Sequence, residues 1–179
     1  MEAQPRITPV PESTAKFLRV LMPSPIGPLG LELFGMALTR LIIEPAEPDS
    51  FTPLHLFDGS ESLDEVFGRL AEYFAGARRK VDVELDLTVC GAPAFVRRVL
   101  RETAKIPYGR TRTYREIAGA SGRPDSRHEV LAILRQNPIP IVIPCHRVVA
   151  EDGGLGEYVG GGSRKLWLLE LESHGSEPL

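Results

Sequence analysis

The chain has 179 residues, 42% of them apolar, a formal net charge of −3 and two cysteines. That is enough for one domain or two small ones with a packed core. Cys90 and Cys145 lie far apart with no C-x-x-C pair, which argues against a disulfide framework or a zinc knot, and no run approaches a membrane-spanning helix.

Residues 1–15, with three Pro, read as a loose arm without the apolar stretch of a signal peptide, so a soluble protein of a reducing compartment is expected. Apolar bursts at 17–22, 29–34 and 36–43, split by Pro and Gly, predict strands joined by hairpins. Residues 50–62 read as a loop. Leu63, Val66, Phe67, Leu70, Tyr73 and Phe74 then follow the spacing of an amphipathic helix, with Ser62 and Glu65 placed as a capping box. "KVDVELDL" alternates like an edge strand, and a boundary is expected near 85–91, where the charge changes. Residues 1–88 carry 8 Lys/Arg against 14 Asp/Glu; residues 89–179 carry 13 against 10. Two domains, 1–88 and 89–179, follow from that division.

The second half reads as mostly helical. "APAFVRRVLRETAKI" puts Phe95, Val96, Val99 and Leu100 on one face, and "PYGRT" breaks it. Thr113 with Glu116, and Ser126 with Glu129, make two further capping boxes that open two short helices. The pair is spaced like a helix-turn-helix, as many αα-hairpins are. "IPIVIP" is too short and Pro-bounded for a helix, and "GGGSRKLWLLELES" predicts a Gly-rich loop leading into a helix that ends near Glu172. Within 97–147 there are 11 basic residues, ten of them Arg, against 4 acidic ones. Guanidinium forks match phosphate geometry, so this stretch is a candidate for nucleic-acid contact as well as a plain solvated face.

The stretch "IPIVIPCHRVVAEDGG" (139–154) sets Cys145, His146 and Arg147 side by side. A lone Cys beside an apolar run is usually an inert core thiol. A metal ligand is disfavoured, since His55, His128 and His174 have no ligand spacing. A nucleophile needs a thiolate, a base, a residue that orients the base and an electropositive site; His146, Glu172 and Arg147 are candidates for these. Neighbours on a strand point to opposite faces, so adjacency alone does not join Cys145 to His146, but a turn after Pro144 does.

The string "NPIPIVIPCHRVVAEDGGLGEYVGGGSRKLWLLELE" (137–172) resembles the active-site region of O6-alkylguanine-DNA alkyltransferases, the methylated-DNA–protein-cysteine methyltransferases. The likeness extends through 95–118 and more faintly to "SPIGPLGLEL". It implies an α+β fold: an α/β amino-terminal part with a small antiparallel sheet, and a helical carboxy-terminal part with a helix-turn-helix. It further implies that Cys145 accepts an alkyl group once from guanine O6 in double-stranded DNA, the base being flipped out. His146 would deprotonate the thiol through a water, Glu172 would orient His146, Asn137 would brace the turn, and Arg147 would tie the turn beside Pro144 together. Tyr114 matches a tyrosine at the flipped base and its phosphate. Tyr158, Val159 and Val148 fall at the base pocket and Lys165 near it; Arg123, Arg127, His128 and Arg135 fall on the DNA side. The chain departs from the family where an arginine usually fills the gap left by the base: His128 stands there, flanked by Glu129, with Leu131 at a usual glycine. Val159 stands where a serine or other small residue is common.

The resemblance implies no cofactor, no metal, no membrane association, a monomer, and a cytoplasmic location in a prokaryote or a nuclear one in a eukaryote. A second reading, a module that flags alkylated DNA without reacting, is disfavoured by the presence of Cys145.

Overall fold

The computed structural model describes residues 17–35, 37–56, 61–83 and 92–174. The chain divides into two compact units, Met1–Gly91 and Ala92–Leu179.

In the first unit, strands β1 (Phe17–Met22), β2 (Leu29–Phe34) and β3 (Ala37–Ile43) form where the apolar bursts predict them. They pair antiparallel, Val20 opposite Leu31 and Leu31 opposite Leu41. Alternate side chains of β2 (Leu29, Leu31 and Leu33) are almost wholly buried, while Glu32 points the other way and pairs with Arg19 at 3.1 Å. The expected loop at 50–62 hides a two-residue strand, β4 (Thr52–Pro53), which runs parallel to β1. The sheet is therefore mixed, in the order β3-β2-β1-β4, rather than purely antiparallel. Phe51, just before β4, lies on Gly30, where a Cβ would come within 2.8 Å of its ring.

Helix α1 (Glu61–Phe74) buries Val66, Phe67, Leu70, Tyr73 and Phe74, the predicted stripe. The side chains of Ser62 and Leu63 lie outside the described residues, as do the expected arm at 1–15, Cys90 and residues 84–87 of the expected edge strand. Residues 81–83 are irregular rather than strand, although their alternation buries Val81 and Val83 and exposes Asp82. Alternation states which side chains are buried; it does not supply a sheet edge to pair with.

The second unit is helical around the Cys145 segment: α2 (Ala94–Ala104), α3 (Tyr114–Ala120), α4 (Arg127–Arg135) and α5 (Gly162–His174). Helix α2 buries Phe95, Val99, Leu100 and Thr103 and leaves its arginines exposed. The capping box at Thr113 is complete. Its hydroxyl accepts from Glu116 N at 3.2 Å, and Thr113 N donates to the Glu116 carboxylate at 2.6 Å. The box expected at Ser126 does not form. Ser126 has φ −92° and ψ 31°, not the extended conformation that aims a hydroxyl at the helix N–H groups, and Glu129 turns to Arg123 at 3.3 Å instead. Two short parallel strands, β5 (Arg112–Thr113) and β6 (Val148–Val149), join the start of α3 to the end of the Cys145 turn. No helix among the described residues is long and apolar enough to cross a membrane.

Candidate active site

The site is built on a turn that the sequence shapes residue by residue. Helix α4 ends at Arg135, and Asn137 then hooks the following reversal at both ends. Its Oδ1 accepts from Ile139 N at 3.1 Å, and its Nδ2 donates to Ile143 O at 2.8 Å. Between these anchors Ile141 has φ +76°, a left-handed conformation that a β-branched residue adopts only under constraint, at a cost of roughly 1–3 kcal/mol. Ile139, Ile141 and Ile143 are buried, so the segment is held by packing as well as by the hook.

Pro144 then leads into a single 3-10 turn, Cys145–Arg147. Three residues per turn send successive side chains about 120° apart rather than to opposite faces. Cys145, His146 and Arg147 each therefore point into a different part of the interior, and all three are buried. The Asn137 amide also donates to Cys145 Sγ at 3.1 Å, so the residue that closes the turn holds the thiol too.

Glu172, fully buried on α5, is where the remaining contacts meet. Its carboxylate lies 2.9 Å from His146 Nε2 and accepts from Arg147 Nε at 2.9 Å, Arg147 Nη2 at 2.8 Å and Gly109 N at 3.1 Å. Arg147 Nη1 donates to Ile106 O at 2.6 Å, which ties the turn to the segment after α2. An ionised carboxylate only accepts, so His146 Nε2 carries the proton and Nδ1 the lone pair.

Charges follow this geometry. Burial alone would raise the Glu172 pKa, but hydrogen bonds from His146 and Arg147, with the guanidinium charge, hold it down at about 2. Burial lowers the His146 pKa against the pull of Glu172, which favours the neutral ring. The Cys145 thiol is pushed up to about 11 by burial, against the Asn137 hydrogen bond and the nearby Lys165 charge. At neutral pH the resting thiol is therefore protonated and needs a base. Burial also lowers Lys165 to about 8; its ammonium donates to Val148 O at 2.5 Å and to Glu157 O at 3.2 Å.

The other expected site residues lie in the same unit, some beside this centre and some away from it. Val148 is fully buried, and Tyr158 sits edge-on to His146 with ring centroids 6.2 Å apart. Val159 is 43% exposed, an apolar side chain presented to solvent. The Tyr114 hydroxyl is not directed outward: it donates to Glu157 O at 3.2 Å and accepts from Glu157 N at 3.1 Å. Arg127, His128 and Arg135 lie exposed on α4. Arg123 lies over the Phe95 ring, 4.3 Å from its centroid, as well as beside Glu129. A groove of about 190 Å³ opens between α3, α4 and the 150–157 loop, lined by Tyr114, Arg127, His128, Leu131, Glu151 and Glu157, among others. Its lining stops short of Cys145, which is 3% exposed. No group of three or more His, Cys, Asp or Glu able to hold a metal converges among the described residues.

Sequence reasoning missed three parts of this arrangement. Gly109 N, from the break read only as a helix stop, donates to Glu172. Glu151 and Glu157 pair with the arginines of α4, though two acidic residues in a Gly-rich loop beside a basic segment were a visible signal. Gly156 has φ +66°, and a Cβ there would lie 2.7 Å from the Tyr114 hydroxyl. Gly156→Ala is expected to destabilise the protein by roughly 1–3 kcal/mol and to displace the tyrosine, checked by the urea midpoint.

Comparisons with known proteins place this architecture. The family model described as "6-O-methylguanine DNA methyltransferase, DNA binding domain" matches residues 94–174, which include the Cys145 turn and Glu172. A methylated-DNA–protein-cysteine methyltransferase of Mycobacterium leprae is 43% identical over 155 residues, 86% of this chain and 90% of that protein. The crystal structure of Mycobacterium tuberculosis O6-methylguanine methyltransferase superposes with a TM-score of 0.77 at 36% identity, covering 92% of this chain and 97% of that one. A structure of the Mycobacterium tuberculosis protein in complex with DNA gives 0.76 at 39% identity, covering 88% and 93%. Identity at this level, across nearly the whole length of these relatives and through the turn that carries the buried thiol, makes the chain a member of the methylated-DNA–protein-cysteine methyltransferase family.

Proposed function

We propose that this protein repairs DNA by direct reversal, moving an alkyl group from guanine O6 in duplex DNA to Cys145 in a single-use reaction. The observation that carries this reading is the Asn137-held thiol one residue from a His146 whose far nitrogen is fixed by Glu172. A thiol near pKa 11 is unreactive until a base removes its proton. His146, neutral with its lone pair on Nδ1, supplies that base, acting through a water as the family resemblance implies. Glu172 keeps the tautomer and stabilises the imidazolium once formed, while Arg147 keeps Glu172 ionised.

The thiolate attacks the alkyl carbon, an S–C bond forms as the C–O bond breaks, and the electron pair leaves on guanine O6. The proton taken up by His146 or held by Tyr114 compensates the departing purine. A thioether offers no ready reverse step, so each molecule reacts once. Because the alkylated oxygen lies inside the stack, the base is extruded, at a cost of a few kcal/mol. Helices α3 and α4 serve as the helix-turn-helix, with Arg127, His128 and Arg135 toward the duplex. Arg123, held against Phe95, contacts phosphate from the side. Val159 and Tyr158 border the base pocket, and Lys165 fixes its wall through Val148 and Glu157.

Incubation with a duplex containing O6-methylguanine should raise the intact mass of the protein by one methyl substitution, in proportion to lesion supplied and never beyond one per chain. Peptide mapping should place it on Cys145. Repeated turnover, or no mass change with lesion loss, would sink the reading.

A further inference from the structure

The segment between the Cys145 turn and α5 carries three carboxylates, Glu151, Asp152 and Glu157, and two of them reach the basic helix α4. Glu157 pairs with Arg135 at 2.9 Å, and Glu151 lies 3.9 Å from Arg127. Glu151 also accepts from the backbone N of Arg115 at 3.0 Å, in the first turn of α3. The same segment occupies the Tyr114 hydroxyl through both backbone atoms of Glu157. Two guanidiniums, one helix-start N–H and one phenol hydroxyl are the donors a nucleic-acid backbone uses, and here the protein's own acidic loop engages all four.

We propose that Glu151 and Glu157 form an acidic latch that competes with DNA phosphates for Arg127 and Arg135, making these two glutamates determinants of DNA affinity. This rests on the reading of α4 as the DNA-facing helix. Duplex engagement then exchanges two internal ion pairs for two phosphate contacts and leaves two carboxylates beside a polyanion. Exposed pairs of this kind are individually weak, so the latch yields to a good ligand and discriminates against a poor one. It has a signature in salt dependence. An arginine already neutralised by a glutamate contributes less net counterion release when it meets phosphate than a free one does.

The test is binding of an undamaged fluorescent duplex by anisotropy across a salt series, comparing the parent with E151Q, E157Q and the double variant. Glutamine keeps an acceptor for Arg115 N, so the loop retains that bond while losing its charge. The double variant should bind about three- to ten-fold tighter at low salt, with a log–log salt slope steeper by roughly one for each pair removed. The curves should converge at high salt, where the latch is itself screened. R127A and R135A, measured alongside, should weaken parental binding. If they weaken it while the glutamine variants leave affinity and slope unchanged, the latch is overturned and the DNA-facing role of α4 stands. If neither arginine matters, α4 is not the DNA-facing helix and the latch falls with it.

Discussion

Cys145→Ala is expected to lose alkyl transfer completely while keeping its fold and its affinity for duplex DNA. Only the sulfur is removed. Asn137, which donates to it, keeps its 2.8 Å bond to Ile143 O and its 3.1 Å bond from Ile139 N, so the hook that shapes the turn survives. No other described side chain offers a comparable nucleophile there: Lys165 is turned to the carbonyls of Val148 and Glu157, and its ammonium has no lone pair. The readouts are intact mass after exposure to O6-methylguanine duplex, and anisotropy with the same duplex. Transfer at the parental level in the alanine variant would shift the assignment to Cys90. Loss of duplex binding together with transfer would mean that the turn, and not the thiol alone, had been damaged.

The second large effect belongs to Glu172. Glu172→Gln keeps the size of the side chain and removes the charge that balances Arg147, which is 6% exposed. Removing one partner of a buried pair typically destabilises by about 3–5 kcal/mol, a large share of the ~5–15 kcal/mol that holds a domain together. The amide can also present its NH₂ to His146 and so change the tautomer on which base catalysis depends. The pH dependence has a definite sign. The folded-state pKa of Glu172, about 2, lies below its ordinary value of 4.5. Its stabilisation is therefore complete above about pH 4.5 and lost as pH falls toward 2. Urea midpoints between pH 7 and pH 3 should fall along an acid limb in the parent, and that limb should be shallower in Glu172→Gln. Equal acid limbs would assign the low-pH loss to other carboxylates.

What the sequence disclosed, and what it withheld, divides along the range of the interactions. Strands at 17–22 and 29–34 and the α1 stripe are local patterns of apolar spacing, and they fold where the spacing puts them. Strands β4, β5 and β6 are two residues each; their ladder bonds come from segments brought alongside by the rest of the fold, and two residues carry no period. Thr113/Glu116 and Ser126/Glu129 look alike as letters. Only the first forms the box, because the backbone at Ser126 is not extended and Arg123 offers Glu129 another partner. At the site, the letters "PCHR" with an upstream Asn led to the thiol and its neighbours. The expected link from Arg147 has a definite end at Ile106 O and Glu172 that no spacing could show. His128 was legible as a departure from the family, whereas the acidic loop facing α4 was visible only as composition.

The contacts that meet at Glu172 also bear on how the protein is made. This one carboxylate is bonded to residues 63, 26 and 25 positions earlier in the chain. Synthesis runs from the amino terminus, so Cys145, His146 and Arg147 leave the ribosome before the residue that completes their arrangement. Until α5 follows, the carboxylate that meets His146 Nε2 and the Arg147 guanidinium is not yet in place. A protein that reacts once, as proposed above, has reason to withhold its competence while still nascent. Here helix α5, which carries Glu172, is what confers it.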